Sequence, residues 1–323
     1  MAQLIKLQDY PSRYENDMYY YPSQYVSLKK EQWKRISDTY ESDLFQEYRM
    51  NILQEEEYSV VAQTEKKGFI SSMFERFKKK EIIQEEELKS DPQDQPFYYV
   101  REFFLQYNPS SAEALQKSYQ RFMFQLQMKW ASSLVGQKPM TDAIVKNSSL
   151  LRHFLTKLPD NYFVMYRPVF HIGSAPVEAE IIIISPVATW CITCVDGDSD
   201  STFVARKGNF WVNKSLRHEQ KIINPMHASH RMGKIVQSIY RNKQIDMPIR
   251  HILLARDGYI DYPSPPIDVE IIDKRNVNKW YESLRQLSSP IKFQQLKAAQ
   301  ALLDTCKRTV ATDQEEGERV EER

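Results

Sequence analysis

The chain has 323 residues, 41% of them hydrophobic and 27% charged, with a formal net charge of +1. That length allows two modest domains, or one domain with a substantial extension, around a buried core. Whole-chain charge favours no class of partner, and three cysteines are too few for a disulfide framework.

The first residues, Met1 to Tyr10, lack the basic flank and apolar run of a signal peptide. The most apolar stretch, Ile181 to Val195, is interrupted by Ser185, Pro186 and Thr189. It is also short against the ~20 residues of a membrane-spanning helix. Together these point to a cytoplasmic protein with no transmembrane segment.

Residues 1–28 are dense in Tyr and Pro and read as an irregular arm. A helical extension follows over 29–135. Trp33, Ile36, Tyr40, Leu44, Tyr48 and Ile52 recur at steps of three and four, one apolar stripe on one helix. Charge blocks within 64–96, Lys78 to Lys80 and Glu85 to Glu87, mark a solvated connection. Inside it, Gly68 to Phe77 can form a short amphipathic helix with a basic end, either an exposed linker or a membrane-surface contact. A second helix is predicted to open on a capping box, Ser110 with Glu113. Its apolar face runs through Leu115, Tyr119, Phe122, Leu126 and Trp130, and these aromatics read as core.

Past Asn147 the pattern alternates. A short helix over 148–158 precedes predicted strands at 162–170, 177–184 and 189–195, then a strand or hairpin at 203–212 around Gly208. Asn224-Pro225 opens a helix to about Lys243, and two strands (251–255, 269–272) and a helix (276–287) complete the series. Consecutive strands without helices imply an antiparallel half, and the strand after the long helix can return parallel. The expectation is an α/β (α+β) domain over 148–290, a mixed sheet flanked by helices, behind a helical N-terminal extension. Residues 291–323 read as a C-terminal helix and an acidic tail.

Glu178 and Glu180 stand two apart in Pro176-Val177-Glu178-Ala179-Glu180, ahead of Ile181 to Ile184. On one strand they would share a face. Paired carboxylates are hard oxygen ligands suited to Mg²⁺ or Mn²⁺. Solvent-exposed acids at a strand's mouth explain the same spacing.

With these residues in view, Tyr162 through Arg275 resembles the nuclease-related domain (NERD) family, a branch of the restriction-endonuclease-like fold. The resemblance rests on the acid-x-acid start of an apolar strand, on the strand Trp190 to Val195 behind it, and on Asn224-Pro225 after Phe210-Trp211-Val212. The strands Ile249 to Ala255 and Asp268 to Ile272 also fit. The resemblance implies a catalytic role for Glu178 and Glu180 and a first metal ligand at Glu180. It further implies a Glu-x-Lys at the end of the next strand, where this chain reads Thr193-Cys194-Val195. Threonine is a poor carboxylate substitute, and valine supplies no charge for the developing transition state. The expectation is therefore a degenerate, non-cutting member. A rescue would need Asp196, Asp198 or Asp200, just past the strand, to turn back as a ligand, Glu180 and Asp196 being the candidate metal ligands, with Lys221 or Lys234 reaching in. Mg²⁺ or Mn²⁺ is implied only in that case.

Cys191 and Cys194 form C-x-x-C, and His227 and His230 form H-x-x-H. Residues three apart on a strand face opposite ways, so buried strand cysteines are the better reading than zinc. Between Phe203 and Arg250 stand ten Lys and Arg against two acids, Glu219 and Asp246. Lys207, Lys214, Lys221, Arg231, Lys234 and Arg241 are the candidate nucleic-acid contacts, with a solvated helix face as the plain alternative. The sequence thus supports three functions: a non-catalytic binder of nucleic acid or of a DNA- or RNA-processing partner; a divergent Mg/Mn-dependent nuclease using Glu178 and Glu180; and a membrane-peripheral or protein-interaction scaffold working through the N-terminal helices.

Overall fold

Four isoleucines in a row leave no polar face for water, and the chain buries all of Ile181–Ile184. They lie in the interior of a sheet covered on both sides, where a continuous apolar run belongs. The structure is a computed structural model that describes residues 1–42, 98–134 and 148–307, except 174, 217 and 288. The charged linker at 64–96, its 68–77 segment and the acidic tail lie outside the described residues, as do Leu44, Tyr48 and Ile52.

Two compact units are formed, residues 1–25 with 124–323, and residues 26–123. The second unit contains most of α1 (Tyr21–Glu41), all of α2 (Tyr98–Gln106) and the first half of α3 (Ala112–Trp130). Within it Trp33 and Tyr119 meet with ring centroids 4.9 Å apart, and Phe103 stands edge-on to Phe122 at 5.6 Å. The aromatics are core, as their spacing implies. The predicted cap shifts by one residue: Ser111, not Ser110, accepts the Ala114 N–H at 3.1 Å. No reciprocal glutamate sits three residues on, and Glu113 instead occupies the first turn, where the helix dipole favours an acid.

In the first unit, β1 (Gln3–Leu7) is followed, beyond α3, by α4 (Ser149–Lys157) and β2 (Phe163–Tyr166). Then come β3 (Val169–Ile172), β4 (Ala175–Glu178), β5 (Ile181–Ile184) and β6 (Thr189–Cys194). After β7 (Thr202–Val204), β8 (Phe210–Lys214) and β9 (Glu219–Ile223), α5 (Pro225–Asn242) leads to β10 (Ile249–Ala255). The last elements are β11 (Tyr259–Asp261), β12 (Val269–Asp273), α6 (Val277–Gln286) and α7 (Phe293–Thr305). The large sheet has the order β1-β2-β5-β6-β10-β12. Strands β2, β5 and β6 are antiparallel, and β10 returns parallel to β6 after α5. Helix, three antiparallel strands, helix, parallel strand is the mixed sheet flanked by helices expected above. One core packs Val164, Ile183, Ile192 and Leu254 against Phe124, Phe154 and Trp280 of the helices. The opposite side packs Val195, Leu253 and Val269 against Phe203 and Trp211 of a small sheet, ordered β11-β7-β8-β9.

Two expectations are corrected. The Tyr/Pro-rich arm is not irregular, because all five residues of β1 are buried and four of them pair in parallel with β2, with a bulge at Ile5. Gln127 of α3 accepts the Leu4 N–H at 2.7 Å, and Gln295 of α7 donates to the Ile184 carbonyl at 3.0 Å. The sheet therefore draws on residues well outside 148–290. The predicted strands 162–170 and 177–184 are also each broken in two. Tyr166 pairs with Ile181 in the large sheet and Val169 with Glu178 in a separate ribbon, a single register carried around a bend. Arg167 sits at the bend with φ +50, a left-handed conformation unusual for a residue with a Cβ, and Pro168 offers no N–H to the ladder.

Candidate functional site

The bend decides what the two glutamates do. Glu178 lies on the ribbon side, exposed, and accepts from Arg167 Nε at 2.7 Å. Glu180 lies on the sheet side, partly buried, and its Oε2 accepts the Cys194 backbone N–H at 2.7 Å. The expected pair on one strand is thus split: β4 ends at Glu178, β5 begins only at Ile181, and each carboxylate has its own partner.

Burial, first of all, raises the Glu180 carboxyl above its ordinary value; the Cys194 N–H works against this. Asp196 adds to the rise, while Arg231 and Arg167 oppose it. Asp196 is therefore the acid that shares Glu180's surroundings, as the rescue required, but the cations there are arginines rather than Lys221 or Lys234. Asp200 is committed elsewhere, accepting the Leu216 N–H at 2.8 Å.

Glu180 and Thr193 are the residues that follow directly on the last pair of the β5–β6 ladder, Ile181 with Ile192. Thr193 is 1% exposed, and among the described residues its Oγ1 has no hydrogen-bond partner. Val195, on the same side of the strand, belongs to the core with Phe203, Trp211 and Leu253. Neither position offers a carboxylate or an amine. Among the described residues no three His, Cys, Asp or Glu side chains gather as a metal site requires. One Glu180 oxygen already accepts an N–H and Asp196 is exposed, so the described residues offer a divalent ion at most these two carboxylates.

Beside Glu180's strand a cleft of about 360 Å³ opens at the start of α4. Ser148, Tyr166, Arg167, Cys194, Asp196 and Arg256 line it. Ser148 caps α4 by accepting the Leu151 N–H at 3.2 Å, and its hydroxyl meets the Tyr166 hydroxyl at 3.0 Å. Two guanidinium groups and a helix N-terminus favour an anion, and Asp196 opposes one. Arg167 and Arg256 were not among the sequence candidates. Their only sequence signals are Arg-Pro after one apolar strand and Arg-Asp-Gly after another, both of which also read as ordinary turns.

The basic candidates fall on two elements. Lys207, Lys214 and Lys221 belong to the small sheet and its turns; Arg231, Lys234 and Arg241 lie on α5, and all six are exposed. Lys214 is 3.6 Å from Glu219. Cys191 pairs with Ile182, which sets it and Cys194 on opposite faces, as extended geometry dictates. Both are free thiols; burial pushes Cys191 up to about 12 and raises Cys194 well above its ordinary value. His230 and His227 are exposed, and the His230 ring meets His251 edge-on at 6.0 Å. Among the described residues no helix is long and apolar enough to cross a membrane.

Comparison with known proteins adds one short similarity. An RNA 2′,3′-cyclic phosphodiesterase of Geobacillus stearothermophilus is 44% identical over 43 residues, 13% of this chain and 14% of that protein. No protein-family profile and no solved structure matches the chain.

Proposed function

We propose that this is a nuclease-related protein that holds nucleic acid, or a partner bound to it, without cutting. One observation carries the reading. At the two positions where phosphodiester cleavage needs a carboxylate and an ammonium group, a buried threonine and a core valine stand beside Glu180. Loss of a single preorganised electrostatic donor costs ~10²–10³ in rate, so loss of both leaves little chemistry. Binding is supported by the exposed bases of α5 and the small sheet, and by Arg167 and Arg256 at the cleft. The similarity to an RNA phosphodiesterase is in keeping with a nucleic-acid ligand but covers too little of either chain to carry an activity.

The nearness of Asp196 to Glu180 favours one rival, a divergent metal-dependent nuclease. Plasmid, single-stranded RNA and 2′,3′-cyclic-phosphate-ended RNA incubated with Mg²⁺ or Mn²⁺ separate the two. Unchanged substrates, together with binding that weakens steeply with salt as counterions compete, are the expected result. Cleavage that disappears in Glu180→Ala would overturn the proposal. Salt-independent binding, or none, would remove its nucleic-acid half.

A further inference from the structure

The small sheet buries one face and leaves the other to solvent. Phe203 and Trp211 point inward at 0% and 1% exposure. On the outer face, Phe210 and Ile223 are directly paired across β8 and β9, yet they are 55% and 73% exposed. The next outward pair along the ladder is Val212 with Lys221, and the one after it Lys214 with Glu219. Strand β7 continues the face with Thr202 and Val204, which pair with Lys214 and Val212.

An exposed phenylalanine ring opposite an exposed isoleucine is costly to leave in water and marks a contact surface. Its far end carries acids, Glu219 beside Lys214 and Asp261 beside Val204, whereas the end near Phe210 is basic. Lys221 lies one pair from Phe210, and the β7–β8 turn adds Arg206 and Lys207. Among the described residues none of these three has an acidic partner in an ion pair. The turn is pinned, since Asn224, the cap of α5, donates to the Gly208 carbonyl at 2.8 Å. A flat platform carrying an aromatic ring and unneutralised bases fits a polymer with flat π-faces and regular negative charge. Single-stranded nucleic acid has both, whereas a duplex keeps its base faces stacked inside.

We infer that the outer face of the small sheet binds single-stranded nucleic acid, with a base on Phe210 and backbone phosphates on Lys221 and Lys207. This rests on the nucleic-acid reading above and specifies its face and strandedness. Residues on the platform act directly on the ligand; Asn224 acts through the turn it fixes.

The test uses the full chain and fluorescently labelled oligo-dT, oligo-U and a DNA duplex, titrated at several salt concentrations. Single strands are expected to bind more tightly than the duplex. Phe210→Ala should weaken them by roughly 5- to 150-fold, the usual range for one stacked base, and Phe210→Trp should restore binding. Lys221→Ala should lower the salt slope by about 1. Circular dichroism should be unchanged and melting should shift only slightly, because Lys221 is exposed and Phe210, more than half exposed, loses little beyond its cross-strand contact with Ile223. Binding that survives Phe210→Ala and Lys221→Ala but fails in an Arg231/Lys234/Arg241 triple alanine variant would overturn the inference and leave the wider reading standing. No binding by the wild-type chain would sink the inference together with the nucleic-acid half of the wider reading. Self-association that Phe210→Ala abolishes, without any effect on nucleic acid, would reassign the face to a second copy of the chain.

Discussion

Glu180 Oε2 holds the backbone N–H of Cys194 at 2.7 Å, so a side chain ahead of β5 closes the end of β6. The carboxylate is doing a structural job that a neutral acceptor can do as well, and burial penalises its charge. Its folded-state value lies above the unfolded one, so its contribution is fully present below about pH 4.5 and is lost as pH rises through the folded value. Glu180→Gln keeps an acceptor and removes the charge. Melting at neutral pH should therefore rise or stay level, and the difference from wild type should fade toward pH 4. Glu180→Ala strands a buried N–H and should cost ~1–3 kcal/mol. Chemical denaturation of both variants across pH is the check; a stability loss in Glu180→Gln as large as in Glu180→Ala would refute this account.

The neighbours across the strand make opposite predictions. Thr193 buries a hydroxyl with no partner among the described residues, so Thr193→Val removes a polar group at nearly constant shape. Stability should stay within about 1 kcal/mol of wild type, or improve. Val195→Lys installs the ammonium group that the rival cutting mechanism would need, but it places that group among Phe203, Trp211 and Leu253. The expected loss is ~3 kcal/mol or more, since an unpaired buried charge has nothing to offset its desolvation. Urea titration decides this, and a stable, cutting Val195→Lys variant would contradict the picture of a site filled by core.

How far the sequence carries can be seen at single residues. The alternation of strands with the Asn224-Pro225 helix was legible because apolar periodicity and capping chemistry are local, and α5 begins where they predict. The cysteines' opposed faces follow from strand geometry alone. The bend at Arg167 was not legible: nothing in Tyr-Arg-Pro dictates a φ of +50, which is stabilised by bonds from Arg167 N–H to the Glu180 carbonyl and from Ala179 N–H to the Pro168 carbonyl. At that bend the ladder breaks between the Tyr166–Ile181 and Val169–Glu178 pairs, with Glu178 on one side and Glu180 on the other. Strand β1 was hidden for a similar reason, since five residues show little pattern until their partner, some 160 residues away, is known.

Gly233 marks a close approach of α5 to β10. A Cβ there would lie 2.1 Å from Cε1 of His251, whose Nδ1 is 2.9 Å from the Ser229 hydroxyl one turn earlier. Gly233→Ala should gain up to ~1 kcal/mol of helix propensity yet still lose ~1–3 kcal/mol net through overpacking. Adding His251→Ala should recover most of that loss, a coupling that a double-mutant cycle reads directly. The same imidazole has a value lowered by burial, so the unfolded chain takes up its proton first. Wild-type stability should accordingly fall as pH drops below about 6.5, and His251→Ala should flatten that slope. Additive single-variant effects would show that ring and helix do not meet.

Lys6 is the most deeply buried cation of the large sheet. Its side chain is 0% exposed on β1, and its ammonium lies 2.5 Å from Glu15, itself 1% exposed. The Tyr10 carbonyl at 2.7 Å and the Lys307 carbonyl at 3.3 Å accept from the same nitrogen, which fixes both ends of the described chain to one edge of the sheet. Such a pair is costly to desolvate and adds little to stability beyond a packed apolar pair, but removing one partner leaves the other charge buried. Lys6→Met should therefore cost ~3–5 kcal/mol, and Glu15→Leu a comparable amount. The double variant should regain most of the stability, because no charge is then left in the interior. What it should not regain is the tether to Lys307, so limited proteolysis should cut the C-terminal segment faster in the double variant than in wild type. Equal proteolysis in the two would mean that the ammonium group does not hold that segment.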